Sequence, residues 1–254
     1  MQFAGIGRMM GPRRGGVTTF DPASLFASGE DGLFYDPSDL STLFQDVAGS
    51  TAVTSDGDPV ARVNDKSGNG SNGLQSTDTK RPLYKAGAGL QWFQPDGVDD
   101  GFNVSGLDLA PGAGSQTWTI CFAANSNSDA KYLWGADAVD ASTYILAADS
   151  ASADPTIVNA PMTLTSLHVD GVSASPATRA ALHTVLAGAH VARCEIEVTA
   201  AVTWDAPVIF LFAGSAVFNY SGFAYSLIYI NRSLTSEEAA NVDAYLAVKA
   251  GVTL

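Results

Sequence analysis

The amino-acid sequence predicts an all-β protein, an antiparallel sandwich or barrel. Short apolar segments recur from residue 60 onward, Gly, Asn, Asp and Ser separate them, and 25 glycines accompany only 15% charged residues. At 254 residues the chain is long enough for one large domain of this kind. The predicted strands are residues 60–63, 89–93, 118–122, 144–146, 164–169, 182–186, 191–198, 208–212 and 223–230.

One short helix is predicted at the C-terminal end of the series. Thr235 and Glu238 have the spacing of a capping box, in which each side chain bonds the other's backbone N–H. Ala239, Val242 and Leu246 then fall on one helical face, and Gly251 follows as a stop signal. We therefore expect this helix to pack against the strands.

Residues 1–19 differ from the rest of the chain in composition and charge. They contain five glycines and the basic residues Arg8, Arg13 and Arg14, with no acidic residue. The whole chain has 13 basic and 26 acidic residues, so the remainder has ten against 26 and a net charge of −16. This acidity argues against nucleic acid as a partner. Residues 1–19 are predicted to be a flexible, basic tether that binds another protein.

Residues 20–59 are predicted to form an extended attachment segment ahead of a head that begins at residue 60. Asp-Pro steps at residues 21–22, 36–37 and 58–59 favour turns between short apolar pieces. The amino terminus lacks the apolar core of a secretory signal, and no segment reaches about 18 consecutive apolar residues, so membrane insertion is not expected. Cys121 and Cys194 lie in separate predicted strands and are expected to be buried free thiols.

Three motifs resemble the laminin-G-like, concanavalin-A-like jelly-roll family. The turn motif is Asp-Lys-Ser-Gly-Asn-Gly at residues 65–70, and Asp-Gly-Val-Asp-Asp follows at 96–100. The helix motif at residues 227–238 joins a final apolar strand to Asn-Arg-Ser-Leu-Thr-Ser-Glu-Glu. The resemblance spans residues 60–254 in outline. It implies an antiparallel jelly-roll β-sandwich with a short C-terminal helix and an extended N-terminal arm.

A second resemblance concerns the front of the chain. Residues 20–46 look like the entry segment of tailed-bacteriophage virion proteins. They include the sequence Gly-Leu-Phe-Tyr-Asp-Pro-Ser-Asp-Leu. In such proteins the resemblance implies an N-terminal tether on the particle and an outward, lectin-like head. It also implies a virion location, assembly in the host cytoplasm and a homo-oligomer, for which a trimer is the default expectation.

Carboxylates are the first candidates for chemistry, because jelly rolls of this class include glucanases. Glu195 and Glu197 lie two residues apart on one predicted strand, which places them on one face with Cα atoms about 7 Å apart. That spacing suits a carboxylate pair acting on a glycosidic bond. The central Asp and the last Glu of the family's motif are missing, and Ile196 and Val198 stand in the intervening positions. A solvated outer strand face explains the pair better.

A calcium site is a second candidate, formed by Asp96, Asp99 and Asp100, since Ca²⁺ prefers oxygen ligands. The alternative, which we favour, is that these side chains cap tight turns by bonding nearby backbone amides. The three histidines share no short ligand spacing, so zinc is not expected. Apart from this calcium candidate, no cofactor is expected.

Aromatic side chains beside polar loops are candidates for glycan binding. Tyr132, Trp134 and Tyr144 flank two polar loops, although aromatics of a β-sandwich more often belong to its core. The sequence thus favours a non-enzymatic virion protein that attaches to host-surface glycans as a tail or head fibre or spike. A capsid decoration protein and a polysaccharide-degrading enzyme remain as alternatives.

Overall fold

A computed structural model describes residues 20–104, 107, 115–126, 134–135, 144–158, 162–199, 208–209 and 220–254, with the backbone alone for 134–135 and 208–209. The tether residues Arg8, Arg13 and Arg14 and the aromatic Tyr132 lie outside the described residues. The elements are β1 (Gly32–Tyr35), β2 (Leu43–Phe44), β3 (Arg62–Val63), β4 (Gly73–Leu74), β5 (Leu83–Gly87), β6 (Leu90–Gln94), β7 (Phe102–Val104), β8 (Gln116–Ser126), β9 (Trp134–Gly135), β10 (Tyr144–Ile145), β11 (Met162–Val169), β12 (Val172–Ser173), α1 (Arg179–Val185), β13 (Gly188–Val198), β14 (Val208–Ile209), β15 (Gly222–Ile230) and α2 (Ser236–Ala250). Short 3-10 helices occupy Pro22–Phe26, Leu40–Thr42 and Asp78–Lys80.

The strands form two antiparallel sheets, so the predicted all-β sandwich with a C-terminal helix is confirmed. Sheet A has the order β12-β11-β13-β8-β15-β6-β5, and β1 also pairs with β15. Sheet B has the order β10-β9-β14-β7-β4-β3-β2. The long strands β8 and β13 pair over eleven residues at the centre of sheet A.

The sandwich core lies between the sheets, and alternation along β8 shows how it is filled. Trp118, Ile120 and Phe122 point into this core, as the sequence predicts, whereas Cys121 and Ala123 point to the outer face of sheet A. That outer face is covered by α2 and by the 3-10 helix Pro22–Phe26, which bury a second apolar layer. Sheet A is therefore buried on both faces beneath α2.

Helix α2 matches its prediction. The Thr235 side chain accepts a hydrogen bond from the Glu238 N–H, the Glu238 carboxylate accepts one from the Thr235 N–H, and Gly251 ends the helix in the left-handed conformation. In contrast, the strand predicted at residues 182–186 is wrong. Those residues belong mostly to α1, which Thr178 caps by accepting a hydrogen bond from the Ala181 N–H.

Residues 20–59 are part of the sandwich, which corrects the expectation of a head that begins at residue 60. Strand β1 joins sheet A, β2 joins sheet B, and Leu33, Tyr35, Leu43 and Val53 lie in the core between the sheets. Phe34 points the other way, into the layer beneath α2. Among the described helices, none has the length and apolar character needed to cross a membrane.

Candidate functional site

The turn motif holds strand β1 in place. Asp65 Oδ1 accepts hydrogen bonds from the backbone N–H groups of Phe34 and Ser67, each at 2.9 Å. Asn69 Nδ2 donates to the carbonyl oxygen of Gly32 at 3.1 Å. A carboxylate is needed because it accepts several N–H groups at once, and an amide is needed because it can donate to a carbonyl. The motif is therefore structural in this chain.

The helix motif reaches the same segment from the other end of the chain. The Arg232 guanidinium donates to both carboxylate oxygens of Glu238, at 2.9 and 2.8 Å. It also donates to Glu30 Oε1 at 3.2 Å and to the carbonyl of Leu25 at 3.1 Å. The bonds that Glu238 accepts from Arg232, and then those from Thr235, outweigh its burial and lower its pKa to about 2. We call the contacts of Asp65, Asn69 and Arg232 with residues 25–34 the clasp.

The acidic candidates Asp96, Asp99 and Asp100 do come together, with ligand oxygens within 4.8 Å of one another. Asp96 Oδ1 accepts from the N–H groups of Val98 and Asp99 at 2.7 and 3.2 Å, and Asp100 Oδ2 accepts from the Asp96 N–H at 2.9 Å. The turn-capping contacts favoured by the sequence are thus present. Lys80 Nζ lies 3.5 Å from Asp99 Oδ2.

The electrostatics of the acidic cluster are also compatible with a cation. Burial, followed by the charge of Asp96, raises the pKa of Asp100 to about 6. A hard cation would relieve this repulsion, and three carboxylates supply the oxygen ligands that Ca²⁺ prefers. The donor set fits calcium, which stays the less favoured alternative to the turn-capping interpretation.

The predicted aromatic site is only partly described. Trp134 lies opposite Ile145 in the β9–β10 pair, so the backbone places residues 134 and 144 on neighbouring strands of sheet B. The Tyr144 side chain is 8% exposed, and the Arg179 guanidinium lies 5.1 Å over its ring and donates to its hydroxyl. Tyr144 therefore packs β10 against the start of α1. It does not present an open ring face to solvent.

Glu195 and Glu197 lie on the partly exposed outer face of β13, and Cys194, Ile196 and Val198 alternate with them in the core. This is the arrangement that the sequence favours over a catalytic pair. Glu195 is paired across the sheet with Thr119 on one side and Ser166 on the other.

Both cysteines are free and buried, as the sequence predicts. They lie on opposite faces of sheet A, Cys121 in the outer layer and Cys194 in the core. Burial raises the pKa of Cys194 to about 12 and that of Cys121 well above its ordinary value. Neither thiol has the exposure or the thiolate character that a nucleophile requires.

A groove of about 620 Å³, not predicted from the sequence, opens between the N-terminal segment and α2. We call it the α2 groove. Its aromatic lining includes Phe20, Phe34 and Tyr245, and its polar lining includes Asp36, Lys66 and Lys249. The spacing of Tyr245 and Lys249, one helical turn apart, is the only sign of it in the sequence.

A buried carboxylate organises the polar side of the α2 groove. Asp36 Oδ2 accepts from Tyr245 Oη at 2.8 Å and from Lys249 Nζ at 2.9 Å, while Oδ1 accepts from the Ser38 N–H and hydroxyl. Burial alone would raise the pKa of Asp36, but bonds from Ser38, Lys249 and Tyr245 outweigh it and hold the pKa below its ordinary value. Lys66 Nζ lies 3.8 Å from Asp36 and bonds Asp39 at 2.6 Å.

Comparisons with protein-family models, with curated proteins and with solved structures found no match to this chain.

Proposed function

We propose that the protein is a non-enzymatic structural component of a tailed-bacteriophage virion. In this proposal residues 1–19 bind another virion protein, and the sandwich faces outward as a lectin-like head that attaches to host-surface glycans. The resemblance of residues 20–46 to virion entry segments supports the virion location. The resemblance of the three motifs to laminin-G-like jelly rolls supports the adhesive head.

The observation that carries the proposal is the anchoring of the chain directly after residue 19. Strand β1 pairs with β15 over four residues, and the clasp adds bonds from Asn69 and Arg232 to the segment just before and within β1. A pull on residues 1–19 would therefore act on bonds to the centre of sheet A and to the start of α2. An attachment protein needs such a load-bearing junction between tether and head.

The candidate reactive groups have structural roles, which supports a non-enzymatic function. Glu195 and Glu197 lie on an outer strand face, Asp96 caps a turn, and both thiols are buried and protonated. The enzyme alternative predicts that the protein releases reducing ends from host polysaccharide and that Glu195→Gln stops the release. Release of this kind would refute the non-enzymatic proposal.

The location is tested by cryo-EM and immunogold labelling of purified particles. Density at the tail or on spikes supports host attachment, density spread over the capsid favours decoration, and absence from particles refutes the virion proposal. The tether is tested with two proteins, one lacking residues 1–19 and one in which Arg8, Arg13 and Arg14 are changed to Gln. We expect both to lose particle binding while the head stays folded. A truncated protein that still joins the particle would overturn the tether.

The adhesive role is tested by binding of the full-length protein to host cells before and after periodate oxidation of their glycans. Loss of binding after oxidation is the expected result. Binding that survives oxidation would point to a protein receptor, and no binding to cells would leave decoration as the function.

A further inference from the structure

The α2 groove has the mixed lining of a site for a small polar ligand. Aromatic rings of Phe20, Phe34 and Tyr245 form one part of its surface, and the ammonium groups of Lys66 and Lys249 another. Its volume of about 620 Å³ is within the range of roughly 300–1,000 Å³ found for ligand pockets, which combine apolar walls with a few placed polar groups.

The charges that line the groove balance one another. Two carboxylates, Asp21 and Asp36, face two ammonium groups, Lys66 and Lys249. Lys249 is bonded to Asp36, and Lys66 to Asp39. A charged ligand would gain little from this balanced set, and an anion would also meet the net charge of −16 of the chain beyond residue 19. The charges therefore disfavour an anion, and the aromatic rings beside already paired polar groups suit an uncharged polar ligand.

The polar groups are held in fixed positions and still have hydrogen-bonding capacity. Each ammonium has three donors. Lys249 uses two of them, on Asp36 and Ser38, and lies 4.9 Å from the Tyr245 ring centroid. Asp21 Oδ1 accepts from the Ala23 N–H, which leaves the second oxygen for a ligand donor. Fixed groups lose little conformational entropy when a ligand binds.

From this lining we propose that the α2 groove binds an uncharged sugar ring of a polysaccharide. A pyranose has an apolar C–H face that suits the rings of Phe20 and Tyr245. Its hydroxyl groups both donate and accept, so they match the lysine donors and the Asp21 acceptor. This inference rests on the proposed function, since it locates the glycan contact of the head. It places that contact beside α2 on the outer face of sheet A, whereas Tyr144 belongs to sheet B.

The test blocks the groove without disturbing the core. Ala244 lines the groove and its side chain is exposed, so Ala244→Phe fills the groove from solvent. Ala240 is also exposed on α2 but lines a different cavity, which makes Ala240→Phe the matched control. Both full-length variants are expected to unfold at the temperature of the parent protein.

Affinities are measured by calorimetry with soluble neutral oligosaccharides of glucan, galactan and mannan type, and with an acidic polysaccharide. We expect a neutral oligosaccharide to bind, with affinity reduced at least about tenfold by Ala244→Phe and unchanged by Ala240→Phe. If Ala244→Phe binds the oligosaccharide as tightly as the parent protein does, the groove is not the binding site, and the proposed glycan attachment is unaffected. If the protein binds only the acidic polysaccharide, the proposal that the ligand is uncharged is wrong. If no saccharide binds and periodate does not affect cell attachment, both the groove and the glycan role are wrong.

Discussion

Removal of the Arg232 side chain should destabilise the protein far more than removal of an ordinary surface cation. The Arg232 side chain is 29% exposed, and its guanidinium bonds Glu238 twice, Glu30 once and the Leu25 carbonyl once. Exposed pairs contribute about 0.2–1 kcal/mol and breaking a buried pair costs about 3–5 kcal/mol. Arg232 lies between these cases and holds two segments together, so we expect Arg232→Ala to lower the free energy of unfolding by about 2–3 kcal/mol.

The assay is urea unfolding at pH 7, followed by tryptophan fluorescence, with Lys85→Ala as the control. Lys85 pairs with Asp56 in a single bridge whose acid is 49% exposed, so its loss should cost under about 1 kcal/mol. Since the folded pKa of Glu238 is about 2, below its ordinary value, its stabilisation is present above about pH 4.5 and declines as the pH falls towards 2. The difference in free energy of unfolding between Arg232→Ala and the parent protein should therefore become smaller as the pH falls from about 4.5 towards 2. If Arg232→Ala lowers the free energy of unfolding no more than Lys85→Ala does, the proposed stabilising role of Arg232 is refuted.

Three further predictions concern the acidic cluster, the second apolar layer and strand β1. The raised pKa of Asp100, about 6, means that the folded state binds a proton that the unfolded state releases between about pH 4 and 6. In EDTA, Asp100→Asn should therefore raise stability by about 1–2 kcal/mol at pH 7 and have no effect at pH 4, as thermal unfolding would show. Under the less favoured calcium interpretation, added Ca²⁺ would stabilise the parent protein and not this variant, whereas equal responses would exclude a calcium site at Asp100. Leu246 is fully buried, so Leu246→Asp should cost at least about 4 kcal/mol in urea unfolding, whereas Val248→Asp, at a 75% exposed site on the same helix, should cost almost nothing. Gly32→Ala should lower the free energy of unfolding by about 3 kcal/mol or more in the same assay, because φ is +149° and a Cβ would lie 1.9 Å from the Tyr229 carbonyl oxygen. An Ala variant as stable as the parent protein would show that the backbones of residues 32 and 229 can move apart.

The parts of the fold that follow local rules were predictable from the sequence. Helix α2 has its cap, its apolar face and its stop within residues 235–251, and strand β8 places its large residues Trp118, Ile120 and Phe122 on one face. Helix α1 was missed because Leu182, Val185 and the capping residue Leu186 form a short, partly apolar pattern that suits a strand as well as a helix.

Strand β1 was missed for a different reason. Its four residues are all buried, because Leu33 and Tyr35 face the core while Phe34 faces the layer under α2. A strand covered on both faces loses the apolar–polar alternation by which half-exposed strands are recognised. The α2 groove depends on contacts such as that of Tyr245 with Asp36, 209 residues apart, which the local spacing of Tyr245 and Lys249 does not reveal.

The clasp has a consequence for how the molecule is made. Glu30 and Arg232 are 202 residues apart, so strand β1 cannot pair with β15 until residues 227–230 have been synthesised. Contacts this distant in sequence carry a large loop-closure entropy, and folds rich in them form slowly. We expect the last step of folding to be the docking of residues 25–35 onto β15 and α2. Bonds that form after the folding transition state mainly slow unfolding. The clasp should therefore lower the unfolding rate more than it raises the folding rate.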